Sequence, residues 1–424
     1  MNSSMKKNIK LYPFYKMISW DLLFYYAISL LFLTSEKKLT ASEVLFADSF
    51  YLLFKAVFQI PSILLIDKFG KRNSLIFANS CIAIYALLVI GCTGLPVYII
   101  ADIILSLGYV IKTNCESNIL YDSIPNTENR RKIFAKLDGR GTAFYYVLDS
   151  ITSIASGFLY LISPYIPMII CLVFALLSTI MSYMFVDTKQ ITEDKENDKI
   201  TVKKYFKDLL SAFKYILNSR RLRGLILFNA VLAGIFPLLA TYRRSLLNDI
   251  NVPSEFLGII FAVLGIIAGI SSNKAVKFHK KWRNRTLSIL GLPSTLSAIL
   301  FGLVVILDLP YPLMLIIILA SFTVQYITKG PYYTLITQYL SSFATSDMRV
   351  KISSANSLIE GLVGGLLSLL GSFFLDITTT AYASILIGCI CTLSLIAILE
   401  YMKKYVGLKP EQYSKRDINY IEMK

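Results

Sequence analysis

Twelve stretches of about 20 mostly apolar residues recur along the chain, at approximately 14–34, 44–66, 74–92, 97–120, 139–162, 165–186, 224–246, 255–272, 286–307, 312–339, 354–375 and 381–400. A bilayer core roughly 30 Å thick needs a helix of about that length to cross it. Hydrocarbon offers no partners to backbone N–H and C=O groups, so each stretch has to satisfy its own as a helix. The sequence therefore predicts an all-α integral membrane protein with twelve transmembrane helices. Charged residues make up 17% of the chain, well below the roughly 25% of a soluble domain, and mean hydropathy is +0.60.

A net charge of +16 raises nucleic acid as a partner, and the placement of the charge decides against it. With the N-terminus inside, 36 of the 43 Lys and Arg residues fall on cytoplasmic segments. The external loops keep Lys37, Lys38, Arg243 and Arg244, the last two read as anchors of the seventh span at the outer interface, with the steering of an anion into the mouth as the alternative. Lys55, Lys112 and Lys329 fall inside spans. Such asymmetry predicts both termini in the cytoplasm, by the positive-inside rule. The expected partner is the bilayer of a cell (inner) membrane, and no nucleic acid.

The six cysteines, Cys81, Cys92, Cys115, Cys171, Cys389 and Cys391, all lie in predicted spans without zinc or disulfide spacing. The lysine-led start has an apolar run too long for a signal peptide, so it reads as a retained first span. The phosphate loop, the HExxH and GxSxG motifs and a His/Cys metal cluster are missing, so neither an enzyme nor a cofactor is expected.

Between the second and third spans the apolar run breaks into Asp67, Lys68, Phe69, Gly70, Lys71 and Arg72. An acid, a base, any residue, glycine and two bases resembles the loop signature of the major facilitator superfamily, which stands at that place in that family. The resemblance implies two six-helix repeats around a central cavity, with 1–187 and 223–402 as the bundles. Residues 188–222 would be the linker and 403–424 a cytoplasmic tail. It assigns Asp67, Lys68, Gly70, Lys71 and Arg72 to a conformational latch. Two features agree with a repeat: Arg130, Lys132 and Ile133 before span 5 match Arg349, Lys351 and Ile352 before span 11. Within the linker, Phe206, Leu209, Leu210, Phe213, Ile216 and Leu217 keep helical spacing among lysines, an amphipathic helix for the membrane surface.

A charge facing hydrocarbon costs at least about 2.5 kcal/mol, so intramembrane charge marks water-filled space. Ionisable residues occur in spans 1 (Asp21), 2 (Lys55), 4 (Asp102, Lys112, Glu116), 5 (Asp149), 10 (Lys329) and 11 (Glu360), and spans 3, 6, 9 and 12 carry none. The resemblance places those four at the lipid-facing outside. On span 4, Asp102, Ser106, Tyr109, Lys112 and Glu116 share one helix face, with Lys112 and Glu116 paired at i, i+4. On span 10, Gln325, Lys329 and Tyr332 share another, and Pro331 should kink the helix. Lys55, Lys329 and Asp149 have no partner within one helical turn. Ser153 and Gly157 form a close-packing face, and Gly265, Gly269, Gly361 and Gly365 read as packing residues. The lone His279 falls in a cytoplasmic loop, away from any proton relay.

These readings converge on a monomeric secondary transporter that moves a small organic solute by alternating access. The leading expectation is proton-coupled efflux of an amphipathic compound, as in the drug-efflux branch, with Asp21, Glu116, Asp149 or Glu360 as proton carriers and Tyr25, Tyr26, Tyr145, Tyr146 and Tyr332 near the cavity. Span 5 lacks the Gly-Pro signature common in such exporters. The alternatives are transport of an anionic metabolite, with Lys55, Lys112 and Lys329 as counter-charges, and a transporter-like sensor or scaffold. A sensor would need an added soluble domain, and a scaffold gives no return for deep charges.

Overall fold

Helix is the only regular structure among the described residues, which are 3–125, 130–186, 202–307, 309–343 and 348–405 of the computed structural model. Among the described residues, ten helices are long and apolar enough to cross a membrane, and an eleventh crossing results if one bent pair counts as a single span. The chain is thus a multi-pass membrane protein. It divides into two compact units, one of residues 1–40, 50–205 and 252–262, the other of 41–49, 206–251 and 263–424.

The first predicted span is not one helix. Helix α1 (Ser3–Ser19) stops, residues 20–28 run irregularly, and α2 (Ser29–Ser35) resumes. Local chemistry explains the break. The Asp21 carboxylate accepts the backbone N–H of Leu22 at 2.9 Å, a side-chain bond that competes with the helical ladder, and Phe24 takes the left-handed region at φ 63°. The second predicted span is α3 (Ala41–Val57) followed by α4 (Gln59–Phe69), bent by 59°.

Gly70 links α4 to α5 (Lys71–Ile90) at φ 83°, a conformation that glycine adopts without penalty. Next come α6 (Leu95–Ser123), α7 (Arg130–Ile162) and α8 (Tyr165–Tyr183). In this unit α5 packs on α6 and α8, and α1 on α7. A Cβ on Gly108 of α6 would lie 2.9 Å from the Ala78 carbonyl of α5, which shows how closely the two backbones approach. Tyr12, Tyr15, Leu75, Ile111, Ile119 and Phe185 form the core beneath. The basic run before span 5 is helical from Arg130 onward. The expected Ser153/Gly157 face is present. There α7 meets the start of α11 (Ser254–Asn273), and a Cβ on Gly157 would sit 2.5 Å from the Ser254 carbonyl.

In the other unit, α9 (Val202–Asn218) is the expected amphipathic helix. Ala212 and Ile216 bury against Leu222, Ile226 and Ile352, while Leu210 and Leu217 stay exposed. The linker residues before it, the tail beyond residue 405 and the side chains of Lys132, Phe206 and Arg349 lie outside what is described. Helix α10 (Arg220–Asp249) packs on α15 (Arg349–Ile377) and α16 (Thr380–Tyr405), and α13 (Thr286–Ile306) on α16 and α14 (Tyr311–Phe343). Helix α14 runs unbroken through Pro331.

Two readings are corrected here. Among the described residues, nothing beyond the local backbone of its own helix lies within 4 Å of a Cβ built on Gly265 or Gly269. The close approach is instead Gly234 of α10 against Gly364 of α15, 2.8 Å from Cβ to Cα. His279 is not in a loop: the basic sequence folds into α12 (Ala275–Trp282), which buries Ala275 and His279 and brings His279 Nδ1 to 2.5 Å from the Tyr339 hydroxyl of α14.

Candidate functional site

The polar face predicted on α6 is buried along its length, from Asp102 and Ser106 through Tyr109 to Lys112 and Glu116. Burial of so many polar groups requires partners, and the break in the first span supplies them. The Lys112 ammonium donates to the backbone carbonyls of Ser19 and of Trp20, the latter at 3.1 Å. These carbonyls stand at the C-terminal end of α1, where the helix dipole favours a cation. Glu116 Oε2 is 3.9 Å from the same ammonium and has no hydrogen-bond partner among the described residues. The Lys112–Glu116 pair therefore exists, but the carbonyls hold the ammonium more closely.

Asp21 completes this cluster. Besides Leu22 N–H it accepts the Tyr26 hydroxyl at 2.8 Å and the Tyr109 hydroxyl. The Trp20 ring lies tilted, 6.2 Å from the Tyr145 ring, and Asp149 follows Tyr145 by one turn on the same face of α7. A second buried lysine was counted as cytoplasmic on sequence. Lys16 is 1% exposed and pairs with Asp138 at 2.5 Å, while Tyr12 donates to the same carboxylate at 2.7 Å. Lys55 is exposed on α3, 5.8 Å from the Tyr51 ring, so it does have an aromatic neighbour one turn away.

In the signature loop, Asp67 and Lys68 are exposed. Lys71 pairs with Asp122 of α6, and Arg72 Nη2 donates to the Tyr183 carbonyl of α8 at 2.7 Å. The two bases thus tie the loop to the ends of neighbouring helices in their own unit.

The second cluster belongs to the other unit. Asn229 of α10 donates through Nδ2 to Asn356 Oδ1 at 2.9 Å and to Glu360 Oε1, and Tyr332 donates to Asn229 Oδ1. Asn356 Nδ2 also reaches Glu360 Oε1 at 2.6 Å. Asn229, Asn356 and Glu360 line a cavity of ≈ 220 Å³, with Tyr333, Ile336 and Leu340 among its apolar walls. Sequence reasoning singled out Glu360 and Tyr332 but missed both asparagines, which carry no charge to stand out from a polar helix face.

Arg243 was expected at the outer interface and is instead 1% exposed. Its Nη1 donates to Gln325 Oε1, and its guanidinium carbon is 5.0 Å from the Tyr326 ring. Lys329 is half-buried, with its ammonium 5.7 Å from the same ring, so it too has an aromatic neighbour within a turn. Arg244 stays closer to its own helix, bonding the Ala240 carbonyl and Thr241 Oγ1, both at 3.2 Å. Among the described residues no group of three or more His, Cys, Asp or Glu side chains is placed to hold a metal.

Comparison with known proteins fits this architecture. The family model described as Major Facilitator Superfamily matches residues 17–368. The uncharacterized MFS-type transporter YxaM of Bacillus subtilis (strain 168) is 24% identical over 356 residues, 82% of this chain and 83% of that protein. The crystal structure of the nucleoside transporter NupG superposes with a TM-score of 0.70 at 13% identity, covering 95% of this chain and 100% of that one. A peptide transporter POT in complex with sulfate gives 0.66 at 13% identity, over 95% and 94%. A D-xylose-proton symporter gives 0.64 at 13% identity, over 94% and 96%.

Proposed function

The chain belongs to the major facilitator superfamily and is a secondary transporter rather than an enzyme; on that premise we propose that it exports an amphipathic organic compound in exchange for protons. The observation that carries this reading is Glu360, a carboxylate in the wall of a cavity with both polar and apolar sides. Asn229 and Asn356 both donate hydrogen bonds to its Oε1. Arrival of a proton would weaken those bonds and loosen α10 from α15, which couples protonation to helix packing.

Glu116 is the second proton carrier in this account. Its Oε2 takes no hydrogen bond, and the neighbouring ammonium is held by carbonyls. Asp21, bonded to Tyr109 of the same helix face, is a further carrier in this account, as are Asp102 and Asp149. Alternating access follows from the family: the two bundles rock about a midplane site. Asp67, Lys68, Gly70, Lys71 and Arg72 would latch one closed state, Gly70 by its backbone and the bases by gripping helix ends. Positive-inside asymmetry supports cytoplasmic termini in a cell membrane, and the protein would work as a monomer.

Of the three counter-charges in the metabolite reading, Lys55 and Lys112 lose support, and Lys329 remains a candidate. Lys112 is engaged by backbone carbonyls, and Lys55 lies exposed against Tyr51. A sensor or scaffold would have no use for an acid in a cavity wall. The test is movement of ethidium, rhodamine 6G and phenylacetate in proteoliposomes under an imposed pH gradient, with protein-free liposomes as control. Gradient-driven movement of at least one supports the reading, and movement of none defeats it.

A further inference from the structure

Among the described residues, the largest side chain with less than 2% exposure is that of Arg243. A guanidinium cannot shed its charge by deprotonation in a protein, so its burial demands compensation. The structure supplies little. Nη1 has Gln325 Oε1 and the guanidinium has the face of Tyr326, but Nε has no acceptor. None of the ion pairs among the described residues reaches Arg243. Asp48, which α3 brings to this end of α10, accepts the Thr241 hydroxyl at 3.1 Å instead.

Gln325 repeats the imbalance. It is 1% exposed, its Oε1 is used by Arg243, and its Nε2 has no acceptor. One turn along α14, Lys329 brings a second cation to the Tyr326 ring. Two buried donors that lack acceptors, beside a second cation, ask for a ligand that only accepts hydrogen bonds and is negatively charged. A carboxylate meets both demands and matches the guanidinium fork.

Its surroundings suit an apolar body. Asn229, Phe236 and Arg243 recur at seven-residue intervals on one face of α10. Phe236 packs at a tilt against Tyr332 at 5.4 Å and Tyr333 at 6.1 Å between ring centroids, and Tyr333 lines the cavity that holds Glu360. Seven helical residues put Arg243 about 10 Å beyond Phe236. An aromatic wall therefore leads from the cavity toward the buried cation.

We propose that Arg243, Gln325 and Lys329 form the recognition site for the carboxylate of the transported compound, an amphipathic monocarboxylate whose apolar part lies along Phe236. This rests on the transporter reading above and names its cargo.

Phenylacetate serves as the probe, with phenylacetamide as its uncharged match and inorganic phosphate as a generic oxyanion. The full-length protein in detergent should be thermally stabilised by phenylacetate, since a ligand of the folded state raises Tm. Loss of a charge-assisted contact should weaken binding roughly 10- to 100-fold in Arg243→Gln. Lys329→Gln, at a less buried site, should weaken it in the same direction and serves if Arg243→Gln does not fold. Equal stabilisation by phenylacetamide or by phosphate, or undiminished binding in a folded variant, overturns the proposal. The transporter reading fails separately. If phenylacetate binds through Arg243 yet no compound crosses a proteoliposome, the site stands and transport falls. If phenylacetate crosses equally well with Arg243→Gln, transport stands and the carboxylate site falls.

Discussion

The Lys112 ammonium donates to the backbone carbonyl of Ser19, 93 residues away in sequence, at the point where the first membrane-spanning segment stops being a helix. A lysine side chain thus takes the place of the next helical turn. The free end of α1 thereby has a partner at a buried site.

Lys112→Met should therefore cost about 3–5 kcal/mol, because it strands the Ser19 carbonyl and leaves Glu116 as an uncompensated buried acid. Adding Glu116→Gln should recover part of the loss, since the pair couples. Thermal unfolding in detergent measures both, and a single variant as stable as the wild type would contradict the assignment.

Gly258 meets the Ser153 carbonyl so closely that an added Cβ would sit 2.2 Å away. Gly258→Val should push α11 off α7 and reduce the yield of folded protein, whereas Gly265→Ala, with open space around it, should change nothing. Size-exclusion profiles at matched expression compare them. Equal behaviour of the two variants would show that this contact does not order the unit.

At the signature loop, Gly70→Ala places a side chain at φ 83° and should cost about 1–2 kcal/mol. Asp67 is exposed, so Asp67→Asn should insert and fold like the wild type. If the loop latches the closed state, that variant transports more slowly at equal expression; an unchanged rate removes the latch.

Hydropathy made most of the architecture legible, because twenty apolar residues have one stable arrangement in lipid. It missed the break at 20–28, since Trp20, Leu22, Leu23 and Phe24 are as apolar as any helix. Only the distant Lys112 and the local Asp21 bond decide otherwise. The polar face of α6 was legible from its helical spacing and is buried as a unit. Arg243 was misplaced because a charge near the end of a span, beside Arg244, looks interfacial. Its seven-residue register with Phe236 and Asn229 was the signal that it points inward with them. Asn229 and Asn356 left no mark because amides are unremarkable on a polar face, and their roles arise from contact across helices 127 residues apart.

The most direct test of proton coupling compares wild type with Glu360→Gln in proteoliposomes loaded with one compound that the wild type moves. One arm imposes a pH gradient, and the other measures exchange of that compound at equal pH. Glu360→Gln should keep the exchange and lose accumulation driven by the gradient. Gradient-driven accumulation that persists at the wild-type rate in Glu360→Gln would contradict the account.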